Sequence, residues 1–155
     1  MRNSDYKIWF RVRFSGGAHL KLDQILDNCS HMCELNCMRT IKFYRFDTGK
    51  CPVEDFFDRL NDNQFEKISF VLDLIEQIDI VPRKFFKKLK GTDEIWEVRV
   101  QYGSDIFRIL GFFDGPELVI LNHAFAKKSQ KTPRNAITVA EKRKRDYFRQ
   151  KELLK

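Results

Sequence analysis

Apolar and polar residues alternate along residues 85–128 with the period of two that is typical of β-strands. Turn-forming residues interrupt the alternation at Gly91, at Gly103, and at Asp114, Gly115 and Pro116. The pattern therefore predicts four strands joined by tight turns, at residues 85–90, 95–102, 106–113 and 117–125.

The same alternation assigns the side chains of these strands to two faces. In the second strand it separates two sets: Trp96, Val98, Val100 and Tyr102 on one face, and Glu97, Arg99 and Gln101 on the other. In the first strand, Lys88 and Lys90 share a face with Phe86. Lys87 falls on the opposite face of that strand, where we expect it to be solvated.

The segment before these strands predicts one more strand and two helices. Residues 41–46 alternate and are rich in aromatic side chains, as expected of a strand. Pro52 suits the first position of a short helix that ends before a turn at Asn61. A longer helix is predicted over residues 64–77, where apolar residues recur at three- and four-residue spacing.

A last helix is predicted from Pro133 to about Lys151, with Thr132 as its cap. The predicted order is strand, helix, helix, four strands and helix. This order favours an α+β fold with a small antiparallel-rich sheet of about five strands. Two N-terminal helices and a C-terminal helix are expected to pack on one face of that sheet.

The first 37 residues differ from the rest of the chain and predict an N-terminal extension outside a core domain at residues 38–155. Cysteine and histidine residues are concentrated in this extension, at Cys29, His31, Cys33 and Cys37. Zinc sites usually bring two separate ligand pairs together, whereas these cysteines would line one helix face. We therefore expect no metal site there, and cysteine usage of this kind favours a reducing cytoplasm.

Composition bounds the partners of the protein. The chain has 155 residues and a net charge of +7, which favours an anionic partner such as nucleic acid, the ribosome or an acidic protein. It contains no apolar run long enough to cross a membrane, so no membrane association is expected. A cytoplasmic location follows as the expectation.

The chemistry available to the predicted sheet is that of cations, and no cofactor is expected. Arg108 stands between Phe107 and Ile109 in an apolar strand, which indicates a functional reason for its position. Lysine and arginine can bind RNA phosphates and stabilise the charge that develops during phosphoryl transfer. RNA supplies its own nucleophile, the 2′-hydroxyl. A metal-free ribonuclease is therefore chemically sensible, with His123 or a lysine of lowered pKa as acid or base.

Four motifs in order carry a resemblance to a known family: KLKG at residues 88–91, IWEVR at 95–99, FRIL at 107–110, and HAFAKKSQKTP at 123–133. Their order resembles the phage-derived HigB-like branch of the RelE/ParE toxin superfamily, over about residues 38–151. The resemblance implies a RelE-like fold and a type II toxin–antitoxin toxin. It also implies a ribosome-dependent mRNA endonuclease that inhibits translation and is neutralised by a helix-turn-helix, HigA-like antitoxin.

The resemblance also implies roles for individual residues. Lys88 and Lys90 would orient and activate the 2′-hydroxyl. Arg99 and Arg108 would hold the scissile phosphate, and His123 or Lys127 would protonate the leaving oxygen. The sequence HAFAKKSQKTP contributes the RNA-binding residues Lys127, Lys128 and Lys131. RelE-like toxins often place a tyrosine near the end of the domain, whereas Tyr147 lies inside the last predicted helix and does not align with it.

Two other functions remain open. ParE-like members of the superfamily act on gyrase, although their sheets carry fewer cations than this one. A basic RNA- or ribosome-binding module without activity is the other alternative. Replacement of Arg99 and Arg108 by Ala would separate a nuclease, which loses cleavage, from a pure binder, which loses only affinity and salt dependence.

Overall fold

The predicted strands form one five-stranded sheet in the computed structural model, which describes residues 39–127 and 131–154. The elements are β1 (Thr40–Phe43), α1 (Pro52–Phe57), α2 (Asp62–Gln77), β2 (Phe86–Lys88), β3 (Trp96–Tyr102), β4 (Asp105–Phe113), β5 (Leu118–Lys127) and α3 (Arg134–Leu153). The α+β class and the number of strands are confirmed. The expected N-terminal extension, with its cysteine and histidine residues, lies outside the described residues.

The strand order in the sheet is β1-β5-β4-β3-β2. β2, β3, β4 and β5 form an antiparallel meander, and β1 pairs with β5 in parallel. The hairpin between β3 and β4 turns at Gly103, whose φ of 59° suits glycine. In this hairpin Arg99 lies opposite Arg108. The meander therefore brings residues that are distant in sequence onto neighbouring strands.

One face of the sheet packs against α1 and α2. The apolar stripe of α2, which includes Phe65, Ile68 and Leu72, joins Val98 and Ile109 of the sheet in the larger hydrophobic core. A capping box between the Asn61 and Gln64 side chains and backbones begins α2. This part of the fold follows the predicted helical periodicity.

The prediction that all helices pack on one face is wrong, because α3 packs on the opposite face. Ala136 and Ala140 of α3 lie against Leu110, Phe112 and Ile120 in a second core. β4 is therefore buried on both faces, which explains its nearly continuous apolar sequence. None of the helices within the described ranges is both long and apolar enough to cross a membrane.

Candidate active site

Two arginines and one glutamate meet on the α3 side of the sheet. Arg99 and Arg108 face each other across β3 and β4, and Glu97 lies two residues before Arg99 on the same face. Glu97 Oε2 is 3.4 Å from Arg99 Nε, and Glu97 Oε1 is 3.5 Å from Arg108 Nε. We call Glu97, Arg99 and Arg108 the arginine cluster.

Glu97 makes this arrangement possible. Two like charges directly opposite each other on neighbouring strands repel. Because Arg108 is only 4% exposed, water screens its repulsion with Arg99 only weakly. The carboxylate of Glu97, also 4% exposed, stands between the two guanidinium groups and accepts a hydrogen bond from Thr132 Oγ1. Burial lowers the pKa of the Arg108 guanidinium, and Glu97 opposes that effect. The cluster is therefore a network of one carboxylate anion and two guanidinium cations.

The arginine cluster retains unused hydrogen-bonding capacity. Among the described residues, the Nε atoms of Arg99 and Arg108 have no hydrogen-bond partner, since Glu97 is at ion-pair distance without hydrogen-bond geometry. The Arg99 side chain is 29% exposed and so reaches solvent. Buried donors normally have partners, and exceptions are common at functional sites. Both Nε atoms are themselves buried, so an anion such as a phosphate would reach the cluster through the exposed part of the Arg99 side chain.

Lys127 extends the positive charge of the cluster along β5. It pairs with Ile106, two residues before Arg108 on β4, and Phe125 pairs with Arg108 itself. Burial lowers the pKa of the Lys127 ammonium, and the neighbouring Arg108 lowers it further. The structure thus brings Arg99, Arg108 and Lys127 together on one face of the sheet.

The two predicted lysines of β2 and its turn do not join this group. Lys88 pairs with Trp96 rather than with Glu97, is exposed, and makes an ion pair with Glu94. Lys90 is exposed in the turn that follows β2. Lys87, which we expected to be merely solvated, lies opposite Glu97 and is half-buried. Of the two lysines within β2, the one that shares a face with the cluster is therefore Lys87.

His123 is held by an arginine of α3. Arg143 Nη1 lies 3.1 Å from His123 Nδ1, and burial together with this cation lowers the pKa of His123 to about 4. A guanidinium can only donate, so Nδ1 accepts and the proton of the neutral ring is on Nε2. His123 is consequently neutral at pH 7 and presents an Nε2–H donor. This state does not suit the role of general acid that the resemblance implied.

Tyr147 lies far from the cluster. Its hydroxyl donates to Asp114 Oδ2 at 2.8 Å, and its ring packs against Phe112 in the α3 core. Burial raises the pKa of Tyr147, and the hydrogen bond to Asp114 raises it further. Asp114 follows β4 six residues after Arg108, which is about 20 Å along an extended strand. Tyr147 is therefore a structural residue of this domain.

The structure adds site roles for three residues that the sequence alone did not assign: Glu97, Thr132 and Arg143. Thr132, predicted as the cap of the last helix, instead donates its hydroxyl to Glu97, and no side-chain hydrogen bond caps α3. The position of Glu97 between two apolar residues of a strand was the available signal. Of the predicted RNA-binding residues, Lys131 is exposed in the connection before α3, and Lys128 lies outside the described residues. Within the described ranges, no group of three or more His, Cys, Asp or Glu side chains could hold a metal ion.

Comparison with known families gives a match over more than half of the chain. The model of a family described as "Phage derived protein Gp49-like (DUF891)" matches residues 55–145. The matched residues include the arginine cluster, Lys127 and His123, together with the first half of α3. No curated protein matches the chain.

Proposed function

Because the chain belongs to the phage-derived Gp49-like family, a family of RelE/HigB-type toxins of toxin–antitoxin systems, we propose that it is a HigB-like ribonuclease. It cleaves mRNA on the ribosome and thereby stops translation, which requires a cytoplasmic location. A toxin of this kind has an antitoxin partner. The proposal extends to a helix-turn-helix, HigA-like antitoxin that neutralises it.

The observation that carries the proposal is the arginine cluster with Lys127 beside it. In this mechanism the 2′-hydroxyl oxygen attacks the adjacent phosphorus in line, and the bond from phosphorus to the 5′-oxygen breaks. Arg99 and Arg108 stabilise the negative charge that develops on the phosphoryl oxygens. Their Nε atoms are buried beside the Glu97 carboxylate, so a phosphate would meet the cluster at the exposed part of the Arg99 side chain.

Proton transfer falls to Lys127 in this proposal. The lowered pKa of Lys127 makes its ammonium a stronger acid than an ordinary lysine, so it protonates the departing 5′-oxygen. The 2′-hydroxyl proton passes to solvent. Glu97, the carboxylate of the cluster, does not accept this proton because it is paired with Arg99 and Arg108. His123 contributes a hydrogen bond from Nε2, not a proton.

The exposed lysines hold the RNA strand. Lys88, Lys90 and Lys131 are all exposed, and Lys88 and Lys90 lie apart from the cluster. They therefore contact phosphates of the RNA backbone rather than the reacting atoms, which is a sequence-independent and salt-sensitive contribution. Lys128 is assigned the same role because it follows Lys127 directly in the sequence.

The test compares Arg99→Gln with a matched control, Lys142→Gln. Both replacements remove one positive charge, but Lys142 is exposed on α3 and has no part in the cluster. In a purified translation system, we expect the wild type and Lys142→Gln to cut a defined mRNA only while it is translated. Arg99→Gln should lose about 100-fold or more in rate, the scale of one lost charge-stabilising donor.

Other outcomes would overturn the proposal. Loss of DNA supercoiling in a parallel gyrase assay, without mRNA cleavage, would favour the ParE-like function. Ribosome binding without cleavage would favour a binding module. Equal cleavage by Arg99→Gln and the wild type would place the chemistry outside the arginine cluster.

A further inference from the structure

A second feature is a cleft at the edge of the sheet, beside the outer part of β5, with residues of both α1 and α3 in its lining. β1 pairs with β5 only as far as Leu121, so the rest of that strand edge is not covered by β1. A cleft of about 330 Å³ opens there. Its lining consists of four apolar and five polar residues: Phe46, Pro52, Phe56, Ala124, Lys50, Asp55, Arg59, His123 and Arg143.

Arg143 forms one wall of the cleft and is fixed in place. Its guanidinium donates to the carbonyl oxygen of Asn122 at 2.6 Å and to His123 Nδ1 at 3.1 Å. It also lies 5.3 Å from the centre of the Phe46 ring, as a cation–π pair. These contacts hold a flat aromatic ring and two hydrogen-bond donors, Arg143 and the Nε2–H of His123, on the same wall.

Another part of the lining comes from α1 and from Lys50 in the segment before it. Phe56 supplies a second aromatic ring, and Asp55 supplies a carboxylate. Asp55 Oδ2 lies 3.3 Å from Lys50 Nζ, and the Lys50 and Asp55 side chains are 66% and 40% exposed. One oxygen of Asp55 is therefore occupied by an exchangeable surface ion pair, which contributes little energy and yields readily to a ligand.

We propose that this cleft binds one unpaired guanine base of the RNA substrate, which makes it a specificity site for the proposed ribonuclease. Aromatic rings accept any base by stacking. The hydrogen-bond donors of Arg143 and His123 select among the bases, because guanine presents two acceptors, O6 and N7, to arginine. Its N1–H and N2–H groups are donors that match a carboxylate such as Asp55. Adenine, cytosine and uracil each lack part of this pattern.

The cleft is correctly placed for this role. His123 and Phe125 are alternate residues of β5 whose rings lie 5.4 Å apart between centroids. Phe125 in turn pairs with Arg108 of the arginine cluster. Alternate residues of a strand are separated by about 7 Å, which is similar to the distance between successive phosphates of an RNA strand. A base in the cleft would thus belong to a nucleotide next to the scissile bond.

Binding is tested first without cleavage, so that this inference can fail independently of the proposed function. The full chain carrying Arg99→Gln is labelled with ¹⁵N and titrated by NMR with GMP, AMP, CMP and UMP in turn. We expect GMP to shift the amide signals of Phe46, Asp55 and Ala124 at concentrations about tenfold below those that the other nucleotides need. No binding, or equal binding of all four nucleotides, would overturn the inference.

The second test uses a matched pair of substitutions near α1. Asp55 lines the cleft, and Asp58 is an exposed acid three residues later that does not. Asp55→Asn should lower GMP affinity about tenfold, whereas Asp58→Asn should leave it unchanged. In mapped cleavage products, guanine should be enriched at one fixed position for Asp58→Asn and lose that enrichment for Asp55→Asn. Equal effects of the two substitutions would show that the carboxylate of Asp55 does not read the base.

Discussion

Removal of the Glu97 charge should destabilise the protein more than its small chemical change suggests. In Glu97→Gln the side chain keeps its size and an acceptor for Thr132, but Arg108 loses its counter-charge. Arg108 and Glu97 side chains are each only 5% exposed, so the guanidinium would remain buried without a carboxylate. Breaking a buried ion pair from one side costs about 3 to 5 kcal/mol. Since the hydrogen bond to Thr132 survives, we expect a loss of about 3 kcal/mol in unfolding free energy.

Chemical denaturation at pH 7 measures this loss, and Glu94→Gln is the control. Glu94 pairs with Lys88 at the surface and its side chain is 64% exposed, so its replacement should cost less than about 0.5 kcal/mol. The double variant Glu97→Gln/Arg108→Met removes both buried charges. It should recover to within about 1 kcal/mol of the wild type, because two neutral side chains of similar volume leave no charge of the pair buried without its partner.

Two results would refute this reasoning. If Glu97→Gln costs no more than Glu94→Gln, the carboxylate does not stabilise the buried arginine. If the double variant loses the sum of the two single losses, the two residues are not coupled. Either result would mean that the glutamate between the two arginines does not offset their repulsion.

Two further predictions concern residues outside the cluster. The pKa of His123 is about 4 in the fold and near 6.5 when unfolded, so the unfolding free energy should fall as the pH drops from 6.5 to 4. After allowance for the partial exposure of His123, the unfolding free energy should fall by about 1 to 2 kcal/mol over this range. His123→Asn should flatten that part of the profile of unfolding free energy against pH, and an unchanged slope would contradict the lowered pKa of His123. Tyr147→Phe should cost about 1 kcal/mol by loss of the hydrogen bond to Asp114 and leave mRNA cleavage unchanged, and a large drop in cleavage rate would return Tyr147 to the active site.

Alternation along single strands predicted the two faces of β3 and the isolated position of Arg108. It also placed Glu97 and Arg99 on one face, as the structure has them. These assignments succeeded because a strand has a fixed period of two, and the turn residues defined where each strand ends. The antiparallel pairing of β2, β3, β4 and β5 in succession agrees with the tight turns predicted between them, whereas the parallel pairing of β1 with β5 was not predicted.

Alternation could not relate one strand to the next. Whether Lys87 or Lys88 shares a face with Arg99 depends on the register between β2 and β3, which pairs Lys87 with Glu97. A register shift between Leu110 and Gly111 similarly changes the pairing of β4 with β5. Asn122 of β5 donates to the carbonyl oxygen of Ala140 in α3, a contact between elements that alternation does not reveal. The contact of Arg143 with His123 joins α3 to β5, so no local pattern reveals it.

The position of α3 was missed for a different reason. The helix is strongly charged, and its buried residues are the small Ala136 and Ala140, while Tyr147 and Phe148 pack on the sheet only partly buried. Small residues give a weak hydrophobic pattern even where they are fully buried. The apolar character of β4 on both faces was the better signal, because a strand that is apolar on both faces needs a covering layer on each.

The central claim is that Arg99, Arg108 and Lys127 promote attack by the 2′-hydroxyl of the RNA itself. Ribosomes need magnesium, so removal of metal ions does not test this claim during translation. Mass spectrometry of the cleaved mRNA ends tests it directly. Attack by the 2′-hydroxyl predicts a 2′,3′-cyclic phosphate, or the 3′-phosphate formed from it, together with a 5′-hydroxyl on the downstream fragment. A 3′-hydroxyl with a 5′-phosphate would contradict the claim, because those ends require attack by water.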